Sequence, residues 1–215
     1  MIYIFDKLDE ISEKQYRSLF DRLPPSRKQK ATVLEGNNRK IAICEYFLLK
    51  NLLNLSDSVD LLYNANGKPL LQGYNFNASH CDGIICIAIG QSQIGVDIEK
   101  QREYDANLAR YVLNAEELHF VESQANKDDL FTKLWTQKEA TLKCLGLALN
   151  TPLKDLVDTK RFSYTFYKYK DCQVCQCVLN SQPNTLHQRT DLIELDDLKF
   201  IFGKNRRHNP QRLNG

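Results

Sequence analysis

The segment from residue 74 to residue 100 constrains the fold most, because three strand-like stretches follow one another there. The stretches read YNFNASH, IICIAI and QIGVDIE, and they combine aromatic or β-branched residues with few helix formers. The turn residues Gly90, Gln91 and Ser92 separate the last two stretches. We therefore expect IICIAI and QIGVDIE to form an antiparallel hairpin in the middle of the chain.

Helical patterns precede these strands. ISEKQYRSLFDRL repeats apolar residues at helical spacing, and the pair Pro24 and Pro25 ends the pattern. A second helical pattern begins at Ser26 and continues to Leu53, with a break near Gly36. These segments predict a core helix whose first turns are rich in basic residues.

Helical patterns also follow the strands. Asn114 can cap AEELHFVES with Glu117 at the third helical position, which is a capping-box arrangement. Asp128 or Asp129 then begins LFTKLWTQKEATLKCLG, which Gly146 ends as a helix C-cap. Four short strand-like segments come last, at residues 162 to 169, 173 to 179, 191 to 195 and 198 to 202.

The order of helix, hairpin, helix and meander predicts the α+β class with two halves of similar make-up. We place the first half at residues 1 to 100 and the second at residues 101 to 203. The basic stretch at residues 204 to 215 is predicted to be a flexible tail.

Charge and cysteine usage narrow the functional classes. The 215 residues carry a formal net charge of only +2, so no global field marks a nucleic-acid or membrane binder. No run of about 18 uncharged apolar residues occurs, and acids stand within the first ten positions. The seven cysteines are an odd number and are scattered, which favours reduced thiols. We expect a cytoplasmic protein that is not attached to a membrane.

The stretch GVDIEK places two carboxylates two positions apart. In a strand successive side chains alternate, so Val96 and Ile98 share one face, and Asp97 and Glu99 share the other. Paired carboxylates repel each other unless a cation lies between them, and their hard oxygens suit Mg²⁺ or Ca²⁺. The alternative is a half-buried strand with a solvated acidic face.

The stretch WTQKEATLK carries acid and base on one helical face. Glu139 and Lys143 are four residues apart, and Lys138 lies beside them. Alone, this pattern fits a surface ion pair worth a few tenths of a kcal/mol. Together with NASH and GVDIE, in this order and at this spacing, it resembles the Sfp-type 4′-phosphopantetheinyl transferase family, whose members activate carrier proteins of peptide, polyketide and fatty-acid synthesis. The resemblance covers roughly residues 20 to 150.

The resemblance implies a role for each matched position. GVDIE and WTQKEATLK supply three metal ligands, Asp97, Glu99 and Glu139, and Glu139 is also the implied general base. Lys143 is implied in catalysis and, with Lys138, in phosphate contacts. The further implied coenzyme A contacts are Ser79 and His80 of FNASH, Lys68 of NGKP, and Arg27, Lys30 and Arg39 of the basic stretches PPSRKQK and NNRK.

The resemblance also implies an activity of the holo-[acyl-carrier-protein] synthase type. The 4′-phosphopantetheine group would pass from coenzyme A to a serine of an apo acyl or peptidyl carrier protein, with release of 3′,5′-ADP. Mg²⁺ is the implied metal and Mn²⁺ its alternative. Two similar α+β halves related by a pseudo-twofold axis are implied, with the active site in the cleft between them, in a monomer that binds no nucleic acid.

Two departures keep alternatives open. Ala148 stands where the family usually has glycine, and the Cys-rich final strands match no family pattern. An inactive homologue that binds coenzyme A is one alternative. A nucleic-acid-binding or zinc-dependent interaction protein is another, since the tail is basic and Cys172, Cys175 and Cys177 lie close together. The same cysteines also fit two strands joined by a turn at Lys170.

Overall fold

The computed structural model describes residues 1–56, 59–148, 150–180, 191–195 and 197–202. Its strands are β1 (Ile2–Phe5), β2 (Leu62–Tyr63), β3 (Pro69–Leu70), β4 (Asn75–Cys81), β5 (Ile84–Gly90), β6 (Ile94–Lys100), β7 (Phe162–Tyr169), β8 (Cys172–Leu179) and β9 (Leu192–Glu194). Its α-helices are α1 (Glu13–Asp21), α2 (Pro25–Thr32), α3 (Gly36–Leu52), α4 (Ala106–Val112), α5 (Ala115–Glu122), α6 (Lys127–Leu145) and α7 (Lys199–Phe202). The tail at 204 to 215 lies outside the described residues.

The two main sheets repeat one topology. The first sheet has the strand order β4-β5-β1-β9, and the second has the order β6-β8-β7. In each half a first strand (β1 or β6) precedes a long helix (α3 or α6), which precedes a hairpin (β4–β5 or β7–β8). The first strand pairs antiparallel with the second hairpin strand in both halves. The α+β class with two similar halves is thereby confirmed.

The boundary between the halves at residue 100 stays a prediction. Strand β6 hydrogen-bonds along its length to β8 of the second half. We therefore propose that the halves divide in the turn at residues 91 to 93, where β5 ends and β6 begins.

The elements stack in four layers, helix, sheet, sheet and helix. One face of the first sheet packs on α1 and α3, with Phe5 and Phe47 fully buried between them. Its other face packs on the second sheet, where Ile4, Val96 and Val174 belong to one buried apolar cluster. Helix α6 covers the outer face of the second sheet and packs Ala140 on β7 and β8. None of the helices in the described ranges combines the length and apolar composition that a bilayer crossing requires.

The expected hairpin of IICIAI with QIGVDIE is wrong. Strand β5 pairs with β4 and β1, one on each edge, so no edge is left for β6. The hairpin is β4–β5, and its turn residues Asp82 and Gly83 have φ of 45° and 79°. Two successive residues with positive φ are typical of the tight turns that join antiparallel strands, and Asp-Gly favours them.

Other local expectations are confirmed. The capping box of Asn114 and Glu117 begins α5, and Gly146 ends α6 with a φ of 68°. The predicted break near Gly36 is the start of α3.

The strand predicted at 198 to 202 is wrong, because residues 199 to 202 form α7. Such a short apolar run fits either structure, and packing of Ile201 in the core with α3 favours the helix.

Gly95 allows α6 to lie directly on β6. A Cβ built at this position would lie 2.0 Å from the carbonyl oxygen of Ala140 and 2.3 Å from the backbone nitrogen of Cys144. Both atoms belong to the helix backbone, which cannot rotate away as a side chain could. Glycine therefore sets the distance between the strand with Asp97 and the helix with Glu139.

We predict that Gly95→Ala destabilises the protein by about 3 kcal/mol or more, the upper end for an overpacked core. Thermal and urea unfolding measure the loss. The control is Gly90→Ala, whose Cβ would lie 3.2 Å from the flexible Cδ1 of Ile94. Equal stability of the two variants would contradict the close approach at Gly95.

Candidate active site

Strand β6 directs its acids toward α6. Val96 and Ile98 are buried between the two sheets, whereas Asp97 and Glu99 make polar contacts with side chains of α6. The predicted alternation of faces is thus confirmed. The first half contributes as well, since Asn77 of β4 accepts a hydrogen bond from the backbone N–H of Val96 at 2.9 Å.

Asp97 lies at the centre of a buried polar group. Its Oδ1 accepts hydrogen bonds from Ser79 Oγ at 2.9 Å and from Lys143 Nζ at 2.6 Å. The same ammonium donates to Ser79 Oγ at 2.8 Å. Asp97 is only 2% exposed, so the alternative of a solvated acidic face is wrong. Because Ser79 belongs to the first half, the site lies at the junction of the halves.

Glu99 is held by two side chains that the sequence patterns did not single out for a role. Trp135 Nε1 donates to Glu99 Oε1 at 3.0 Å, and Arg102 donates to Oε2 at 2.9 Å. The guanidinium carbon of Arg102 also lies 4.6 Å from the centre of the Trp135 ring. The position of Trp135 one turn before Glu139 was the available signal, because residues four apart share a helical face.

Glu139 lies between these contacts along α6. Trp135, Glu139 and Lys143 follow at intervals of four residues, so Glu139 is flanked by the residues that hold Glu99 and Asp97. Burial, followed by the charge of Asp97, raises the pKa of the Glu139 carboxyl above its ordinary value. The charge of Lys143 opposes this shift without cancelling it. Glu139 thus has the environment of a proton acceptor working nearer to neutral pH.

Lys143 is the cation that balances these acids. Burial acts to lower the pKa of the ammonium, but the neighbouring carboxylates outweigh burial and raise it, with Asp97 the largest of them. The group therefore stays charged. Its contact with Asp97 is a charge-assisted hydrogen bond, which is among the stronger polar contacts in proteins.

The three acids lie close enough to interact electrostatically but do not form a metal-ligand cluster. Within the described residues, no group of three or more His, Cys, Asp or Glu side chains is arranged to hold a metal ion. The donor set nevertheless suits a hard cation, because it consists of carboxylate oxygens. Asp97 Oδ2 is buried without a hydrogen-bond partner, so one ligand position is already available. The type of donor therefore fits Mg²⁺.

Lys138 is directed away from this site. Its side chain is fully buried and pairs with Glu117 at 2.9 Å. Its ammonium also donates to the carbonyl oxygens of Leu153 and Lys154. With three acceptors for its three N–H groups, Lys138 anchors α6 to α5 and the following loop, and we do not retain it as a phosphate contact.

Lys68 and its turn clamp the end of α6. Lys68 Nζ donates to the carbonyl oxygens of Lys143 at 2.7 Å and Cys144 at 2.9 Å. Asn64 and Asn66 both donate to the carbonyl oxygen of Gly146. These carbonyls end a helix and lack helical partners, so the turn acts as a C-terminal cap. Burial lowers the pKa of Lys68.

The basic residues of the first helices are mostly engaged within the fold. Arg27 is buried, donates to the Tyr63 hydroxyl and pairs with Glu45. Arg39 donates to three carbonyl oxygens at the end of α2. Lys30 is exposed and lies 4.6 Å from the centre of the Tyr63 ring. Lys30 and Arg39 are both exposed, and among the described contacts Lys30 is the one of the three without a hydrogen bond to a carbonyl oxygen.

Ser79 and His80 lie on opposite faces of β4. Ser79 contacts Asp97 and Lys143, as expected for a site residue. His80 is exposed on the face that Phe76 and Ala78 share. The structure therefore does not bring the two residues to the same polar group.

The clustered cysteines belong to the core. Cys175 and Cys177 face α6, whereas Cys172 faces the first sheet. All three are free thiols on one strand, and alternation separates Cys172 from the other two. The expectation of two strands joined at Lys170 is confirmed, and the zinc alternative has no geometric support.

Ala148, which stands where the family usually has glycine, does not adopt a positive φ. Alanine is therefore compatible with the turn that follows α6.

Comparisons with known proteins show which family part of this chain is similar to. Residues 93–190 match the family model of the 4′-phosphopantetheinyl transferase superfamily. This range includes β6 and α6. A solved structure, holo-[acyl-carrier-protein] synthase (AcpS) of Thermotoga maritima, is 16% identical, with a TM-score of 0.36 over 42% of this chain and 64% of that chain.

Three of the curated proteins that this chain is similar to are 4′-phosphopantetheinyl transferases. The 4′-phosphopantetheinyl transferase gsp of Aneurinibacillus migulanus is 29% identical over 56% of this chain and 53% of its own length. The transferase psf-1 of Bacillus pumilus is 30% identical over 40% and 39%, and Sfp of Bacillus subtilis (strain 168) is 29% identical over 45% and 46%. The chain spans about half the length of these relatives or less. The comparisons confirm the resemblance to the Sfp-type 4′-phosphopantetheinyl transferase family.

We predict that Lys143→Met destabilises the ligand-free protein by about 2 to 3 kcal/mol, below the cost of breaking a fully buried pair because Lys143 is 24% exposed. Asp97 would be left buried without its cation. Chemical unfolding measures the loss, and Lys133→Met on the exposed part of α6 is the control. The double variant with Asp97→Asn should lose less than the two single losses added together. Additive losses would show that the pair does not couple.

We predict that Glu139→Gln makes the ligand-free protein more stable near neutral pH. A carboxyl with a raised pKa in the folded state contributes stability below its ordinary pKa of 4.5 and loses it as the pH rises through the folded value. Glutamine does not undergo this loss. Between pH 4 and pH 7.5, the melting temperature of Glu139→Gln should rise increasingly above that of the parent protein. The melting temperature of the control Glu35→Gln should stay equal to that of the parent. Parallel curves for Glu139→Gln and the parent would contradict the shift.

Proposed function

We propose that this protein transfers the 4′-phosphopantetheine group from coenzyme A to a serine of an apo carrier protein and releases 3′,5′-ADP. The observation that carries the proposal is the convergence of Asp97 and Glu99 of β6 with Glu139 and Lys143 of α6 at the junction of the halves. The sequence similarity to transferases of this name supports it.

We propose Asp97, Glu99 and Glu139 as the residues that would hold Mg²⁺, or Mn²⁺ in its place. The bound ion would supply Lewis-acid stabilisation of the pyrophosphate of coenzyme A. The chain's own contribution is a buried, oxygen-rich position whose free oxygen is Asp97 Oδ2. Lys143 lies beside this position and can donate to a phosphate oxygen when it releases Asp97.

Glu139 is the proposed general base. A serine hydroxyl is a weak nucleophile and must lose its proton as it attacks phosphorus. Without a bound metal ion, the raised pKa of Glu139 makes this carboxylate a stronger base than an ordinary glutamate. The serine oxygen forms its bond to phosphorus while the bond from that phosphorus to the oxygen of the departing 3′,5′-ADP breaks.

The proposed coenzyme A contacts are fewer than the sequence predicted. Lys143, Lys30 and His80 remain, because Lys143 belongs to the polar group of the site and the other two residues are exposed. Ser79 is proposed to orient Lys143. Arg27, Arg39, Lys68 and Lys138 act through the fold, as their donors already bind carbonyl or side-chain oxygens.

The test is incubation with coenzyme A, Mg²⁺ and a panel of apo-acyl and peptidyl carrier proteins. Intact mass spectrometry should show the mass of one phosphopantetheine group on a carrier. A known transferase run on the same panel is the positive control. If no carrier gains mass here while coenzyme A binds in calorimetry, the protein is the inactive coenzyme A-binding homologue.

We predict that Glu139→Gln loses turnover by about 10²- to 10⁴-fold, the usual contribution of a general base. The amide keeps the shape of the side chain but cannot accept the serine proton. Coenzyme A affinity should change much less, which calorimetry measures. Glu103→Gln, an exposed acid after β6, is the control and should retain turnover. Near-full turnover of Glu139→Gln at saturating substrate and metal would remove Glu139 from the base role.

A further inference from the structure

Arg102 and Trp135 form a bracket around the carboxylate of Glu99. Each holds one oxygen, Trp135 Nε1 at 3.0 Å and the Arg102 guanidinium at 2.9 Å. The two bracket residues also contact each other, with the guanidinium carbon 4.6 Å from the indole centre. A carboxylate oxygen has more than one lone-pair direction, so Glu99 can accept both bonds and still present an oxygen to a cation.

The bracket is anchored on both sides. The Arg102 backbone N–H donates to Thr132 Oγ1 at 3.2 Å, which fixes the residue to α6. Trp135 packs on Phe131 with ring centres 6.3 Å apart, and Phe131 is fully buried in the core of α4, α5 and α6. The orientation of Glu99 is thus connected to a rigid core through two separate side chains.

Charge gives Arg102 a second effect. Asp97, Glu99 and Glu139 carry three potential negative charges, and Lys143 and Arg102 supply the two cations that contact them. Removing Arg102 would therefore leave the acid group more negative and more attractive to a divalent cation.

We propose that Arg102 is a positioning residue. Together with Trp135, it fixes the orientation of the Glu99 carboxylate for the transfer reaction. This inference rests on the proposed function. Arginine suits the position because its planar guanidinium can stack on an indole and donate to a carboxylate at the same time, whereas a lysine ammonium is a point charge without a plane. The bracket thus orients Glu99, while the positive charge of Arg102 lowers the affinity of the three acids for a cation.

The proposal separates orientation from affinity. Arg102→Met should bind Mn²⁺ as tightly as the parent or more tightly, because a nearby positive charge is gone. Its kcat should fall by about 10- to 100-fold, since small displacements of catalytic groups have effects of this size. A residue that merely stabilised the fold would lower Mn²⁺ affinity and kcat together.

Fluorescence reports on the bracket without any turnover. The chain contains one tryptophan, so all indole emission comes from Trp135. Arg102→Met removes the cation from the ring face, and both the emission maximum and quenching by acrylamide should change. The control is Arg161→Met, which removes the same charge from a contact with Phe162 and should leave Trp135 emission unchanged.

The experiment combines three readouts on the full chain: Trp135 emission, Mn²⁺ affinity from water-proton relaxation, and kcat with a carrier protein. Arg102→Lys should return Mn²⁺ affinity to the parent value and leave kcat low, because it restores charge but not the planar stack. An unchanged emission, an unchanged kcat or a weakened Mn²⁺ affinity in Arg102→Met overturns the inference. A parent protein that does not bind Mn²⁺ overturns the proposed metal site, and the inference with it.

Discussion

The close contact of α6 with β6 is the constraint on which the rest of the site depends. Gly95 lets the helix backbone lie against the strand, where a Cβ would lie 2.0 Å from a carbonyl oxygen. The helix then crosses the acids of β6 at close range, so that Lys143 meets Asp97 and Trp135 meets Glu99. A site built on a regular strand and helix is held more precisely than one built on loops.

Charge balance inside this contact gives the site its chemical character. Three carboxylates in a partly buried space repel one another, and Lys143 and Arg102 offset that repulsion through direct ion pairs. Burial and the remaining negative charge raise the pKa of Glu139, the acid without a paired cation of its own among the described contacts. The internal ion pairs thus offset the charges of Asp97 and Glu99, while Glu139 has no direct cationic partner among the described contacts.

The first half of the chain supports the site mainly by holding elements of the second half in place. Ser79 completes the contact of Lys143 with Asp97, and Asn77 fixes the backbone of β6. The turn containing Lys68 caps the last carbonyls of α6, next to Lys143. Polar residues that resemble ligand contacts can therefore serve the fold, since helix ends need donors as much as phosphates do.

By itself the sequence determined the α+β class and the helix limits at Asn114 and Gly146, because helix caps and residue periodicity are local signals. It also determined that Asp97 and Glu99 share one face of a strand. The spacing of Glu139 and Lys143 on one face of a helix follows from the helical period in the same way. Only the tertiary structure decided which strands pair: β5 is flanked by β4 and β1, so β6 joins β8. It also decided that Lys68 and Lys138 bind carbonyl oxygens and that Arg102 and Trp135 hold Glu99. The reason is that a side chain's partner depends on which segments meet in space, and residue spacing along one element carries no information about that meeting.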